Sequence, residues 1–143
     1  MKTVLKALTL ASLVYVTSSL PAMAATPPTV TLLGTALSDA TSNVKGFAGF
    51  QSLTRKDKTN TYFELVLSNL RQPANTTLNI LVNGTQVATT TVKAGRKSTG
   101  KGHLLLNSTR GDLVPAITAG STITIVEATG GTTIASGTFR KFN

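Results

Sequence analysis

Thr61-Tyr62-Phe63-Glu64-Leu65-Val66-Leu67-Ser68-Asn69-Leu70 decides the fold class. Phe63, Leu65 and Leu67 alternate with Glu64 and Ser68, the period of two expected of a strand with one buried face. Downstream, Thr77 to Val82 repeats the pattern with Leu78, Ile80 and Val82 on one side. Asn83-Gly84 then supplies the residues of a type I′ turn, whose two central positions need positive φ. Gln86 to Lys93 is expected to return antiparallel.

Working outward, nothing after Ala25 carries a helical period. Val30 to Leu37 is a candidate first strand. Val44 to Leu53 is a second, with Val44, Gly46, Ala48 and Phe50 on one face. Arg55 to Asn60 is polar and reads as a hairpin loop, and Arg71 to Asn75 as a connection. Beyond a polar loop at Ala94 to Thr99, strands are expected over Gly100 to Asn107, Ser121 to Glu127 and Thr132 to Phe142. Ser108 to Gly120, with Pro115, is a long connection between them. Eight short strands with regular turn signals predict an all-β antiparallel sandwich, with a barrel as the alternative. The sandwich is preferred here because the Pro115 connection is long enough to carry the chain between sheets.

Before this domain, Lys2 and Lys6 precede an apolar stretch from Ala7 to Val16, then Pro21 and the small-residue site Ala22-Met23-Ala24. That is the layout of a secretory signal peptide, and the stretch is too short to span a membrane. Residues 1–24 are therefore expected to be removed after Ala24, leaving a protein that is secreted or periplasmic. Residues 25–29 form an extended lead-in and residues 30–143 a single domain. The chain has no cysteine, so its core must hold without disulfides. No further apolar run approaches membrane-span length.

One set of strand and turn signatures is familiar as a pattern. Ile80-Leu81-Val82-Asn83-Gly84-Thr85, Leu104-Leu105-Leu106-Asn107-Ser108, Arg110-Gly111-Asp112-Leu113-Val114-Pro115, Ala119-Gly120 and Gly137-Thr138-Phe139 occur in this order. Over residues 62–139 the chain resembles a small all-β module of exported bacterial proteins without an established activity. The resemblance implies fold and location, and it carries no catalytic residue.

The charge balance is the main functional lead. The full chain has 14 Lys and Arg against 5 Asp and Glu; without Lys2 and Lys6 it keeps a formal +7. Two basic clusters stand out as candidate anion-binding sites: Arg55, Lys56 and Lys58, then Lys93, Arg96, Lys97 and Lys101. If every strand reverses the last, they fall at opposite ends of the domain. Arg110, Arg140 and Lys141 would join the first end and Arg71 the second. Anionic glycans or other extracellular polymers are natural partners for such a surface. The few aromatics, with no Trp, disfavour a stacked-ring carbohydrate site or a single-strand nucleic-acid platform.

Catalytic signals are sparse. His103 is the only histidine, and no G-x-S-x-G elbow or cysteine accompanies it, so it reads as a strand histidine. Neither a zinc site nor a calcium loop has its ligand pattern. No cofactor is implied. Glu64 and Glu127 both fall on expected strands and would serve a small secreted hydrolase if they flanked one cleft. Arg110-Gly111-Asp112 spells an integrin-type tripeptide, read more simply as a glycine turn between charges. Asn75-Thr76-Thr77, Asn83-Gly84-Thr85 and Asn107-Ser108-Thr109 match the glycosylation sequon, although Asn83 is already explained by its turn.

The expectation is an exported, non-catalytic structural, adhesive or binding module of the periplasm or cell surface, contacting anionic polymers or other proteins. A hydrolase is the alternative. So is a self-assembling surface protein, through sheet edges such as Thr89-Thr90-Thr91 if these were left uncovered.

Overall fold

The computed structural model describes residues 26–41 and 43–142; the expected signal peptide lies outside them. Among the described residues there are ten strands: β1 (Thr29–Ser38), β2 (Lys45–Arg55), β3 (Lys58–Leu70), β4 (Thr77–Val82), β5 (Thr85–Thr91), β6 (Lys93–Ala94), β7 (Gly100–Asn107), β8 (Thr122–Glu127), β9 (Thr133–Thr138) and β10 (Arg140–Lys141). A single 3₁₀ turn at Ser108–Arg110 follows β7. All strand pairs are antiparallel.

They form one sheet, in the order β5-β4-β8-β9-β1-β2-β3-β7-β6, with β10 pairing on β1. The two ends of this order, β5 and β6, are separated in the chain by Val92 alone. A flat sheet cannot place its two outermost strands one residue apart. The sheet is therefore rolled towards a barrel, the alternative that the strand pattern left open. Val92 is the corner: it is fully buried, its N–H donates to Thr76 O at 2.9 Å, and its carbonyl accepts from Asn75 N at 2.8 Å. Above the corner, the Thr90 hydroxyl donates to His103 O at 2.8 Å and draws β5 towards β7.

Alternation places the core as expected. Val44, Ala48 and Phe50, then Phe63, Leu65 and Leu67, then Leu78, Ile80 and Val82 are all buried. They meet Leu33, Leu37, Ile123, Ile125, Ile134 and Phe139 in one hydrophobic cluster. Burying this apolar surface is the main stabilising term for a chain without disulfides.

Three local expectations are corrected. Thr132 to Phe142 is two strands, because Phe139 leaves the ladder to pair its backbone with Gly120 and Ser121. Gln86 to Lys93 likewise breaks at Val92. The loop expected over Arg55 to Asn60 shrinks to Lys56-Asp57, since Arg55 and Lys58 are themselves paired strand residues; Lys56 takes the positive φ of 52° that so tight a reversal demands.

The barrel has two mouths. The first carries Lys56-Asp57, the Asn83-Gly84 turn and the 3₁₀ turn; the second carries the end of β3, the Gly95–Thr99 loop and the β8–β9 turn. The Pro115 connection leaves the 3₁₀ turn and returns to β8 on the same side. It spans the first mouth and sinks Ile117 into the core.

Candidate anion-binding surface and neighbouring sites

The strand register decides where the basic clusters sit. Arg55 is directly opposite Lys58 where β2 turns into β3, with Lys56 at the tip. Lys93 is directly opposite Lys101 in the β6–β7 pair, and Arg96 and Lys97 lie in the loop between them. Strand β3 runs from Lys58 at one mouth to Leu70, opposite Gly100, at the other. The clusters thus occupy opposite mouths.

Directly opposed like charges destabilise an antiparallel pair, and each mouth contains one such pair. Asp57, in the turn between Arg55 and Lys58, forms an ion pair with neither. Among the described residues the one contact within ion-pair distance joins His103 and Glu64, and none of the seven basic side chains forms a salt bridge. Arg140 and Lys141, on β10, and Arg110, in the 3₁₀ turn, add charge towards the first mouth; Arg71 and Lys45 add it towards the second. Lys45 escaped the sequence reading because no cluster surrounds it in the chain, and only the β2–β3 register brings it to this end.

The acids are arranged differently. Glu64 Oε1 lies 3.2 Å from His103 Nε2 on the outer wall, across β3 and β7, with both side chains more than half exposed. Glu127 ends β8, and β9, β1 and β2 intervene between β8 and β3. The structure does not bring the two glutamates to one cleft. No group of three or more His, Asp or Glu side chains able to hold a metal occurs among the described residues.

Asp112 of the Arg-Gly-Asp tripeptide is engaged within the fold. Its Oδ2 accepts from Asn107 N at 2.9 Å, while Gly111 takes φ 87° to end the 3₁₀ turn. Asn107 is buried, and its Oδ1 accepts from both the N–H and the hydroxyl of Thr109. That side chain is a cap within its sequon. Asn83 does two tasks. With φ 50° beside Gly84 at φ 80° it forms the expected turn, and its Oδ1 accepts from Thr122 N at 2.9 Å, tying the turn to β8.

The outer wall of β1, β2, β3 and β7 is unexpectedly apolar. Leu32, Phe47, Val66, Leu105 and Phe142 all stay substantially exposed. Phe47 and Phe142 pack with ring centroids 6.1 Å apart over Gly34 and Gly49, which face each other across β1 and β2. A cleft of about 330 Å³ opens there, with Glu64 as its single charged lining residue.

No helix among the described residues is long and apolar enough to cross a membrane. No protein-family model matches the chain, and no curated protein matches it in sequence.

Proposed function

We propose that this chain is an exported, non-catalytic binding module that contacts anionic polymers through the two mouths of its barrel. The observation that supports this most directly is the pair of opposed cations at each mouth, Arg55 with Lys58 and Lys93 with Lys101, left without carboxylate partners among the described residues. Such an arrangement costs the fold stability, and a bound polyanion relieves it. The signal-peptide layout of residues 1–24 supports delivery to the periplasm or beyond. Two separated basic ends suit bridging between chains of a sulfated or carboxylated glycan better than tracking a single duplex.

The test is binding to heparin across a salt series. Affinity should fall linearly on a log–log plot, because each contacted anion releases counterions. Glutamine substitution of Arg55, Lys56 and Lys58 should remove part of the binding and flatten the slope. The same treatment of Lys93, Arg96, Lys97 and Lys101 should remove another part. Salt-insensitive affinity, or no binding near physiological salt, would overturn the reading. N-terminal sequencing of the exported protein should begin Ala25-Thr26-Pro27.

A further inference from the structure

Three hydroxyls form a row across the inner face of the barrel at the first mouth. Thr31 faces Ser52 across β1 and β2, and Ser52 faces Thr61 across β2 and β3. The next inward row on the same strands is Leu33, Phe50 and Phe63. Val114 to Ala119 stands over both rows and leaves a cavity of about 520 Å³, within the range of small-molecule sites at roughly 300–1,000 Å³.

The lining is unusual in two respects. Thr31, Ser52 and Thr61 are half-buried, yet their hydroxyls make no hydrogen bond to a protein group among the described residues. Half-buried donors that no protein group satisfies are available to a bound acceptor. Lys141 is the single charged residue of the lining, and no carboxylate accompanies it. It lies opposite Leu33 on the other side of β1, so its side chain shares the inner face. Apart from Thr118, whose hydroxyl is engaged with Ser121, the remaining walls are apolar, chiefly Leu33, Phe50, Val114, Pro115 and Ile117.

We propose that this cavity binds a small amphipathic carboxylate. Its alkyl chain or ring lies against Leu33, Phe50 and Ile117. Its carboxylate accepts hydrogen bonds from the row of hydroxyls and is neutralised by Lys141. Hydroxyl donors and an ammonium together meet the demand of a carboxylate leaving water, whereas a neutral or cationic head group would use only half of the site. None of the seven residues assigned to polymer binding lines the cavity, so the site does not rest on that reading, although Lys141 also adds charge towards the same mouth.

Decanoate, kept below its micelle-forming concentration, is the probe, with decanol and decylamine as neutral and cationic counterparts. Backbone amide NMR of the purified protein reads out the site. Decanoate should produce saturable shifts centred on Thr31, Ser52, Thr61 and residues 114–119, and bind at least about tenfold more tightly than either counterpart. Lys141→Gln should erase most of the preference for decanoate over decanol while leaving the thermal midpoint near that of the parent, because Lys141 is exposed. The paired Thr31→Val and Thr61→Val substitutions preserve shape and should act in the same direction; Thr133→Val, an exposed hydroxyl removed at the far mouth, should leave decanoate binding unchanged. Equal affinity for decanoate and decanol would overturn the proposal. So would shifts centred on Phe47, Leu105 and Phe142, or an absence of saturable shifts.

Discussion

Asp112 closes the end of β7 through Asn107. Its Oδ2 accepts from Asn107 N at 2.9 Å, and its own N–H donates to Asn107 O at 3.3 Å. One residue thereby satisfies both backbone groups that a further strand would otherwise pair. At the other end of β7, Lys101 is paired with β6, and between them His103 O takes the Thr90 hydroxyl. The long edge of β7 is thus blocked piecewise, one way in which sheets avoid edge-to-edge association.

Asp112→Ala should therefore lower stability by about 1–3 kcal/mol in urea denaturation, the cost of stranding a partly buried N–H that had a charged partner. Asp112→Asn keeps an acceptor and should lose less. The alanine variant should also self-associate more readily by light scattering. Stability equal to the parent would show that the edge is held by other contacts.

Gly84 tests the backbone alone. Its φ is 80°, and a Cβ placed there would meet no atom within 4 Å. Any loss on substitution must then come from backbone strain. Gly84→Ala should already cost about 1–2 kcal/mol, because a left-handed conformation brings Cβ against the backbone. Gly84→Val should cost about 1–3 kcal/mol, and Gly84→Asn clearly less than alanine, since its short polar side chain tolerates this region. Thermal melts of the three variants give the order.

Gly100 tests packing instead. A Cβ there would lie 2.5 Å from Val92 Cγ1 and 3.1 Å from Leu70 Cβ, both fully buried. Gly100→Ala should destabilise by about 1–3 kcal/mol through overpacking at the corner that closes the barrel. Combining it with Val92→Ala should cost less than the sum of the single variants, because removing the Val92 methyls makes room. Strict additivity would place the clash elsewhere.

The Glu64–His103 pair should contribute little. Both side chains are more than half exposed, and exposed ion pairs are worth about 0–1 kcal/mol. A double-mutant cycle with Glu64→Gln and His103→Gln should give a coupling within that range, vanishing in high salt. A larger, salt-resistant coupling would mark the pair as part of a desolvated site.

Much of the strand content is local and therefore readable. A period of two in Phe63, Leu65 and Leu67 forces one face inward, whatever the neighbours are. Asn83-Gly84 dictates a turn because both residues tolerate positive φ. The breaks at Val92 and Phe139 have no such signal. Val92 sits in a run of Thr and Val that suits a strand throughout, and it leaves the ladder only because β5 and β6 serve opposite ends of one sheet. Lys56-Asp57 likewise looked like the middle of a six-residue loop, since charged residues mark loops and exposed strand ends alike.

The basic clusters, the alternating inner faces and the Asn83-Gly84 turn were determined by the sequence itself, because each depends on residues within a few positions of one another in the chain. Only the tertiary structure decided that Arg55 opposes Lys58 and Lys93 opposes Lys101, that Glu64 meets His103 rather than Glu127, and that Thr31, Ser52 and Thr61 share one row beneath the Pro115 connection. Those relationships depend on strand register and on the rolling of the sheet. Both are set by the burial of many side chains at once, so no short window of the chain encodes them.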